Sequence, residues 1–236
     1  MRSALVAAVL GIAATSLLAH DPVSTKVSWE GEIKRLVEAR CVSCHSESGR
    51  APMPLTTYEE ARPWARAIRE EVLTRRMPKW HIVRGYGDFG NDPSLSAFEI
   101  ALFAAWADGG APRVLPLKAG TSARPVTPAI GTPPRSALLT ANDHRSLEVP
   151  CTARSLPAGR LVGVKPALSK GADLRMTLVA ADGSKEPLLW LRNFDPAFQD
   201  TYWLRRPIAL TRATRVEIDG DAPCTVTVLL ATQTAR

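Results

Sequence analysis

Apolar positions along the chain follow two periods, one after the other. From residue 20 to 113 they recur every three or four places, the spacing of one helix face. In EIKRLVEARC, Ile33, Leu36, Val37 and Arg40 fall at that spacing and lead directly into Cys41. TTYEEARPWARAIREEVLTRR opens on Thr57 with Glu60 three residues later, a capping box, and Trp64, Ile68 and Val72 then form one stripe. Pro63 falls in the second turn, where it costs the helix little or bends it. Ser96 and Glu99 repeat the capping pattern before AFEIALFAAWAD, a third helix stopped by Gly109-Gly110. The intervening HIVRGYGDFGNDPSLS is rich in Gly, Asp and Pro and predicts a loop.

From about Leu138 the period shortens to two. Leu174, Met176 and Leu178 share one strand face, Asp182-Gly183 is a two-residue turn signal, and EPLLWLR returns after it. Cys224, Val226, Val228 and Leu230 alternate in the same way. Short strands and regular turns predict an antiparallel β-sandwich. Between the two regimes lie Pro116, Pro125, Pro128, Pro133 and Pro134, the composition of an extended linker. The predicted class is therefore α + β in two domains. A helical domain at 20–113 is followed by a linker at 114–137 and a β-sandwich domain at 138–236.

Residues 1–19 read as a secretory signal peptide: Arg2, an apolar run from Ala4 to Ala14, and a small residue at position 19. That run is shorter than the ~20 residues a membrane span needs, so no transmembrane segment is expected after cleavage. The expected location is periplasmic or secreted, where disulfides persist. Cys151 and Cys224, in candidate first and last strands, are predicted to pair, contributing about 4 kcal/mol by loop-closure entropy. Acidic and basic residues balance up to Pro112, so the formal net charge of +7 lies in the C-terminal half. A solvated basic surface explains it, and so does docking of an acidic protein partner. No nucleic-acid motif accompanies it.

The remaining two cysteines carry the chemistry. Cys41, Val42, Ser43, Cys44 and His45 form Cys-x-x-Cys-His, the attachment pattern for c-type haem. Two thiols three places apart can each form a thioether to one vinyl group, and the adjacent imidazole then lies under the iron as proximal ligand. A zinc site competes, but it would need a further ligand such as His81 and usually a second Cys pair. A thioredoxin-like pair competes too, but it should follow a strand, and here a helix precedes it. A chance string is the third alternative. For the distal ligand the candidates are Met77, Met53, His81 and, more remotely, His20. Met77 is preferred because it follows the middle helix and precedes Pro78 in a loop that can fold back. Met53 sits only eight residues past His45. Trp64, Phe103 and Trp106 are candidate haem-pocket walls, and ordinary core packing explains them equally well. His20, beside a free amine if cleavage follows Ala19, could also chelate copper.

With these residues in view, 27–113 resembles a class I cytochrome c domain. RCVSCH, APMPLTTYEEARPWARAIREEVLTRRMPKW and LSAFEIALFAAWADGGAP look like cytochrome c modules of secreted multidomain bacterial proteins. The resemblance implies an all-α class I cytochrome c fold, one haem c per chain, and Met77 of the Met-Pro-x-Trp string as distal iron ligand. DLRMTLVAADGSKEPLLWLRNFDPAFQDTYWLRRPIALTRATRVEI is similar to the C-terminal β-sandwich of copper type II, ascorbate-dependent monooxygenases. The chain departs from that family where copper should bind: it has 4 histidines in all, and the only one near this domain is His144. The implied second domain is thus a scaffold without its metal.

The function expected from these readings is a periplasmic or secreted c-type cytochrome transferring single electrons to a redox partner protein, with His45 and Met77 as axial ligands. It is an electron carrier rather than an enzyme. The alternatives are a peroxidase-like or oxygenase-linked haem protein whose β-domain binds a partner or ligand, and a structural or gas-sensing haem module.

Overall fold

The structure, a computed structural model, describes residues 26–115, 144–152, 154–198 and 200–232. The expected signal peptide at 1–19, His20 and nearly all of the linker at 114–137 lie outside the described residues.

The helical part begins where the Ser28 hydroxyl accepts from the Gly31 amide at 3.2 Å while the Ser28 amide donates to Glu32 at 3.1 Å. A π-helical turn, Trp29–Ile33, runs into α1, Lys34–Arg40. Next come α2, Tyr58–Ala61; α3, Ala65–Leu73; and α4, Ala97–Asp108. Both capping boxes form, Thr57 with Glu60 and Ser96 with Glu99. The middle helix, read from the sequence as one piece, is divided by a 3-10 turn at Arg62–Trp64. Pro63 has no amide hydrogen to give. The turn rotates Trp64 out of the expected stripe, leaving it 43% exposed. Ile33, Leu36, Val37, Phe103 and Trp106 are fully enclosed in one apolar cluster, on which Cys41, Val42 and Met53 pack from the side.

Eight strands follow among the described residues: β1 His144–Pro150, β2 Arg154–Ser155, β3 Gly159–Leu168, β4 Leu174–Val179, β5 Lys185–Leu191, β6 Tyr202–Leu210, β7 Arg215–Gly220 and β8 Cys224–Ala231. They form two open sheets with orders β1-β8-β3-β6 and β2-β7-β4-β5, antiparallel at every pairing. Leu174, Met176 and Leu178 of one sheet share a second buried cluster with Val164, Val226 and Val228 of the other. The two-residue periodicity is the cause, since alternate side chains point to one face. Cys151 and Cys224 are bonded as predicted, with Cα atoms 5.5 Å apart across a separation of 73 residues.

The segment 81–90 is loop, as predicted, but it lies on the β part and straps the two sheets. Ile82 bridges Leu191 at the β5 edge, and Phe89 bridges Leu204 at the β6 edge. The Val83 amide donates to Trp190 at 2.8 Å, and Gly90 donates to Trp203 at 2.8 Å. The strap thus satisfies one exposed edge of each sheet, which would otherwise present unpaired backbone groups. Trp80, Ile82 and Phe89 belong to the β cluster, not the helical one.

These observations correct the expected fold class. The described chain is mostly β, its α-helical segments are short, the longest having 12 residues, and the sheets are open rather than joined as a closed sandwich. The all-α class I cytochrome c fold expected for the first domain is not what forms. Glycine and aspartate in 81–90 outweighed two apolar residues seven places apart, which make no period, and Pro63 shortened the helix that mattered most. Among the described residues no helix is long and apolar enough to cross a membrane.

Candidate functional site: the Cys41–His45 turn

The turn is built by continuation of α1. The Cys41 amide donates to Val37 at 2.8 Å, and the His45 amide donates back to the Cys41 carbonyl at 2.8 Å, so the chain winds once more beyond the helix end. It is then held from the other side. The Ala51 amide donates to the Cys44 carbonyl at 3.0 Å and the Leu55 amide to the His45 carbonyl at 3.0 Å. Gly49 makes this return possible: a Cβ there would collide with the Cys44 carbonyl.

His45 is 8% exposed. Its Nδ1 lies 3.0 Å from the Met53 carbonyl oxygen. A carbonyl only accepts, so Nδ1 carries the hydrogen of this contact. Cys41 and Cys44 are unpaired and partly buried. Burial pushes the Cys41 thiol up to about 12; a charge on Cys44 adds to this, and Arg40 works against it. Arg40 is itself committed to Glu99 at 3.0 Å, the two side chains only 11% and 9% exposed. Burial would raise the Glu99 carboxyl, but the Ser96 amide and hydroxyl and the Arg40 guanidinium outweigh it and hold it below the usual range.

On the outer side of the turn stands Arg50. Its Nη2 donates to both oxygens of Asp200, at 3.1 and 3.2 Å, and its guanidinium also reaches the Cys44 side chain. Asp200 lies 150 residues further on, just ahead of β6. Gly49, Arg50 and Asp200 were not singled out from the sequence. Gly49 in a serine-rich stretch reads as an ordinary loop glycine, and a pairing over that separation has no local signature.

The other predicted site residues lie elsewhere. Met77 is partly buried after α3, its amide donating to Glu71 at 3.2 Å. It lines a hollow of about 140 Å³ with Val72, Trp80, Leu95 and Ile100, to which Cys41, Cys44 and His45 do not contribute. Met53 supplies the carbonyl under His45 and packs on the helical cluster. His81 sits on the strap. The Asp195 amide donates to its Nε2 at 3.2 Å, the Tyr202 hydroxyl is 3.4 Å from its Nδ1, and its ring lies 5.1 Å from Phe194. His144 stacks edge-on at 5.4 Å against Trp203. Phe103 and Trp106 are core residues of the helical part, and Trp64 is on the surface.

No family model matches the chain, and no curated protein matches it. Two crystal structures of a pentameric capsid protein isolated from metagenomic phage sequences are similar to part of it. One has 13% identity, covers 40% of this chain and 63% of that one, and has a TM-score of 0.26. The other has 14% identity, covers 43% and 72%, and has a TM-score of 0.27. Likenesses at this level carry no argument about fold or activity.

The haem expectations are corrected accordingly. Among the described residues no three or more His, Cys, Asp or Glu side chains gather as a group able to hold a metal ion. The hollow lined by Met77 is not lined by His45, and His81 is held by the β part. The single haem c, the one-electron carrier built on it, its haem-enzyme and gas-sensing alternatives and the metal-free monooxygenase scaffold are not carried forward. Of the expected covalent chemistry, the structure bears out the disulfide.

Proposed function

We propose that the chain is an extracytoplasmic binding protein, periplasmic or secreted, whose functional centre is the Cys41–His45 turn. The two sulfurs are its reactive atoms, open to a small soft electrophile, and His45 is held beside them by the Met53 carbonyl. The observation that carries this reading is the turn itself, with His45 Nδ1 3.0 Å from the Met53 carbonyl oxygen beside two sulfurs that do not pair with Cys151 or Cys224. Holding rather than turnover fits Cys41, because a thiol raised to about 12 offers little nucleophilic thiolate at neutral pH. The bonded Cys151–Cys224 pair supports an oxidising compartment. The basic β part supports an acidic protein partner, with Arg160, Lys165 and Arg206 exposed on its strands and attraction that weakens with added salt.

The test is intact-mass measurement of the full chain exported by a bacterial host, followed by reduction and alkylation. The expected result is a constant mass excess over the bare polypeptide, Cys41 and Cys44 refractory to alkylation, and the bare mass restored in a Cys41→Ser, Cys44→Ser double variant. A bare mass with both thiols alkylated after reduction overturns the reading.

A further inference from the structure

The two sulfurs of the turn stand in unlike surroundings, and the difference sets an order. Cys41 closes α1 and packs against the helical cluster. Cys44 is one turn further out, beside the guanidinium of Arg50. We propose that Cys44 is the sulfur that reacts first with an incoming electrophile, and that Arg50, anchored by Asp200, is the positioning residue that makes it so. This inference rests on the reading of the turn as the functional centre and adds which atom acts and what directs it.

The placement of Arg50 is built rather than incidental. Gly49 brings the backbone against the Cys44 carbonyl, and the Ala51 amide locks it there at 3.0 Å, so residue 50 is held beside Cys44 from both neighbours. Asp200 then holds the guanidinium from the far side through both carboxylate oxygens. A cation fixed beside a sulfur stabilises the negative charge that sulfur carries as it attacks, and its effect is larger where water is partly excluded. The burial that raises the Cys41 thiol adds to the same asymmetry. Anchoring through Asp200 also means that the β part, not the helical part alone, completes the surroundings of the reactive sulfur.

Iodoacetamide is the probe. The Cys44 sulfur forms a bond to the methylene carbon, the carbon–iodine bond breaks, iodide leaves with the electron pair, and the thiol proton passes to water. The full chain produced in the bacterial cytoplasm without export, so that both sulfurs are bare, is reduced, treated with limiting reagent at pH 7.5, quenched in time, digested, and each cysteine quantified by mass spectrometry. Cys44 is expected to alkylate about tenfold faster than Cys41. Arg50→Gln is expected to slow Cys44 severalfold and leave Cys41 unchanged, Arg50→Lys to restore most of the rate, and Asp200→Asn to slow it by less than Arg50→Gln. Equal rates at the two cysteines, or an unchanged Cys44 rate in Arg50→Gln, overturn the inference. A purely structural role for Arg50 would alter both cysteines together and would not be rescued by lysine. The mass excess of the exported chain tests the functional centre itself, so the two ideas fail separately.

Discussion

Two histidines of this chain have opposite duties, and the hydrogen bonds of their rings show it. His45 receives nothing at Nε2 in the bonds described above, whereas His81 accepts the Asp195 amide there and faces Tyr202 with Nδ1. Adding a proton to His81 therefore breaks a bond to the backbone. Burial lowers its basicity from the ordinary 6.5; Asp195 and Asp200 pull the other way and Lys79 pushes with burial, so the net shift is downward. A folded value below the unfolded one means that the neutral ring contributes stability in full above about pH 6.5. That contribution erodes as pH falls below 6.5 and is gone once pH passes the folded value. The expected outcome is a denaturation midpoint that drops between pH 7.5 and pH 5, with a shallower drop in His81→Gln, read by urea titration at the two pH values. An equal drop in the variant would assign the acid sensitivity to other groups.

At the scale of elements, the strap 81–90 binds the edges of two sheets that otherwise share only their inner faces. Phe89 is its deepest anchor, 5% exposed, ring-to-ring with Trp80 at 6.3 Å and Tyr202 at 5.9 Å. Phe89→Ala removes those contacts and leaves a cavity. The expected loss is about 3 kcal/mol, measured by urea unfolding, together with faster amide exchange at Gly90 and Arg205, whose bonds to the opposite chain are 2.8 Å each. Loss of stability without faster exchange there would show that Phe89 fills space but does not hold the strap. The strap also marks where reading the sequence stops. The capping boxes at Thr57 and Ser96 and the alternation through Leu174, Met176 and Leu178 rest on spacings of two to four residues, and each forms as read. Ile82 and Phe89 obey no such spacing, and the strand residues they bridge, Leu191 and Leu204, lie more than 100 residues away. The surroundings of Cys44 show the same limit: the Cys-x-x-Cys-His spacing reads as a haem site, and the Arg50–Asp200 anchor, 150 residues apart, leaves no local signal.

Over the whole molecule, the helical and β clusters are distinct, and the described ties between them include the strap, Asn91 bonded to Thr201 and Trp203, Lys79 over the Phe198 ring, the Arg50–Asp200 pair, and the Arg84 guanidinium donating to Leu95 at 2.7 Å. A chain organised this way need not unfold in one step, and the disulfide provides the means to see it. Cys151 and Cys224 tie the end of β1 to the start of β8, within a sheet those two strands already pair in. The bond stabilises chiefly by restricting the unfolded chain, about 4 kcal/mol for a loop of this length. That effect acts on the part of the chain that the loop encloses, residues 151–224, which holds β2 to β7 and none of α1 to α4. Cys151→Ser with Cys224→Ser should therefore lower the urea midpoint of the β part while leaving the solvent protection of α4 amides nearly unchanged until the strap lets go. Hydrogen exchange resolved by peptide, followed across a urea series, separates the two. If α4 loses protection at the same urea concentration as β3 and β8 in the variant, the two clusters unfold as one unit and the ties between them are strong enough to make them so.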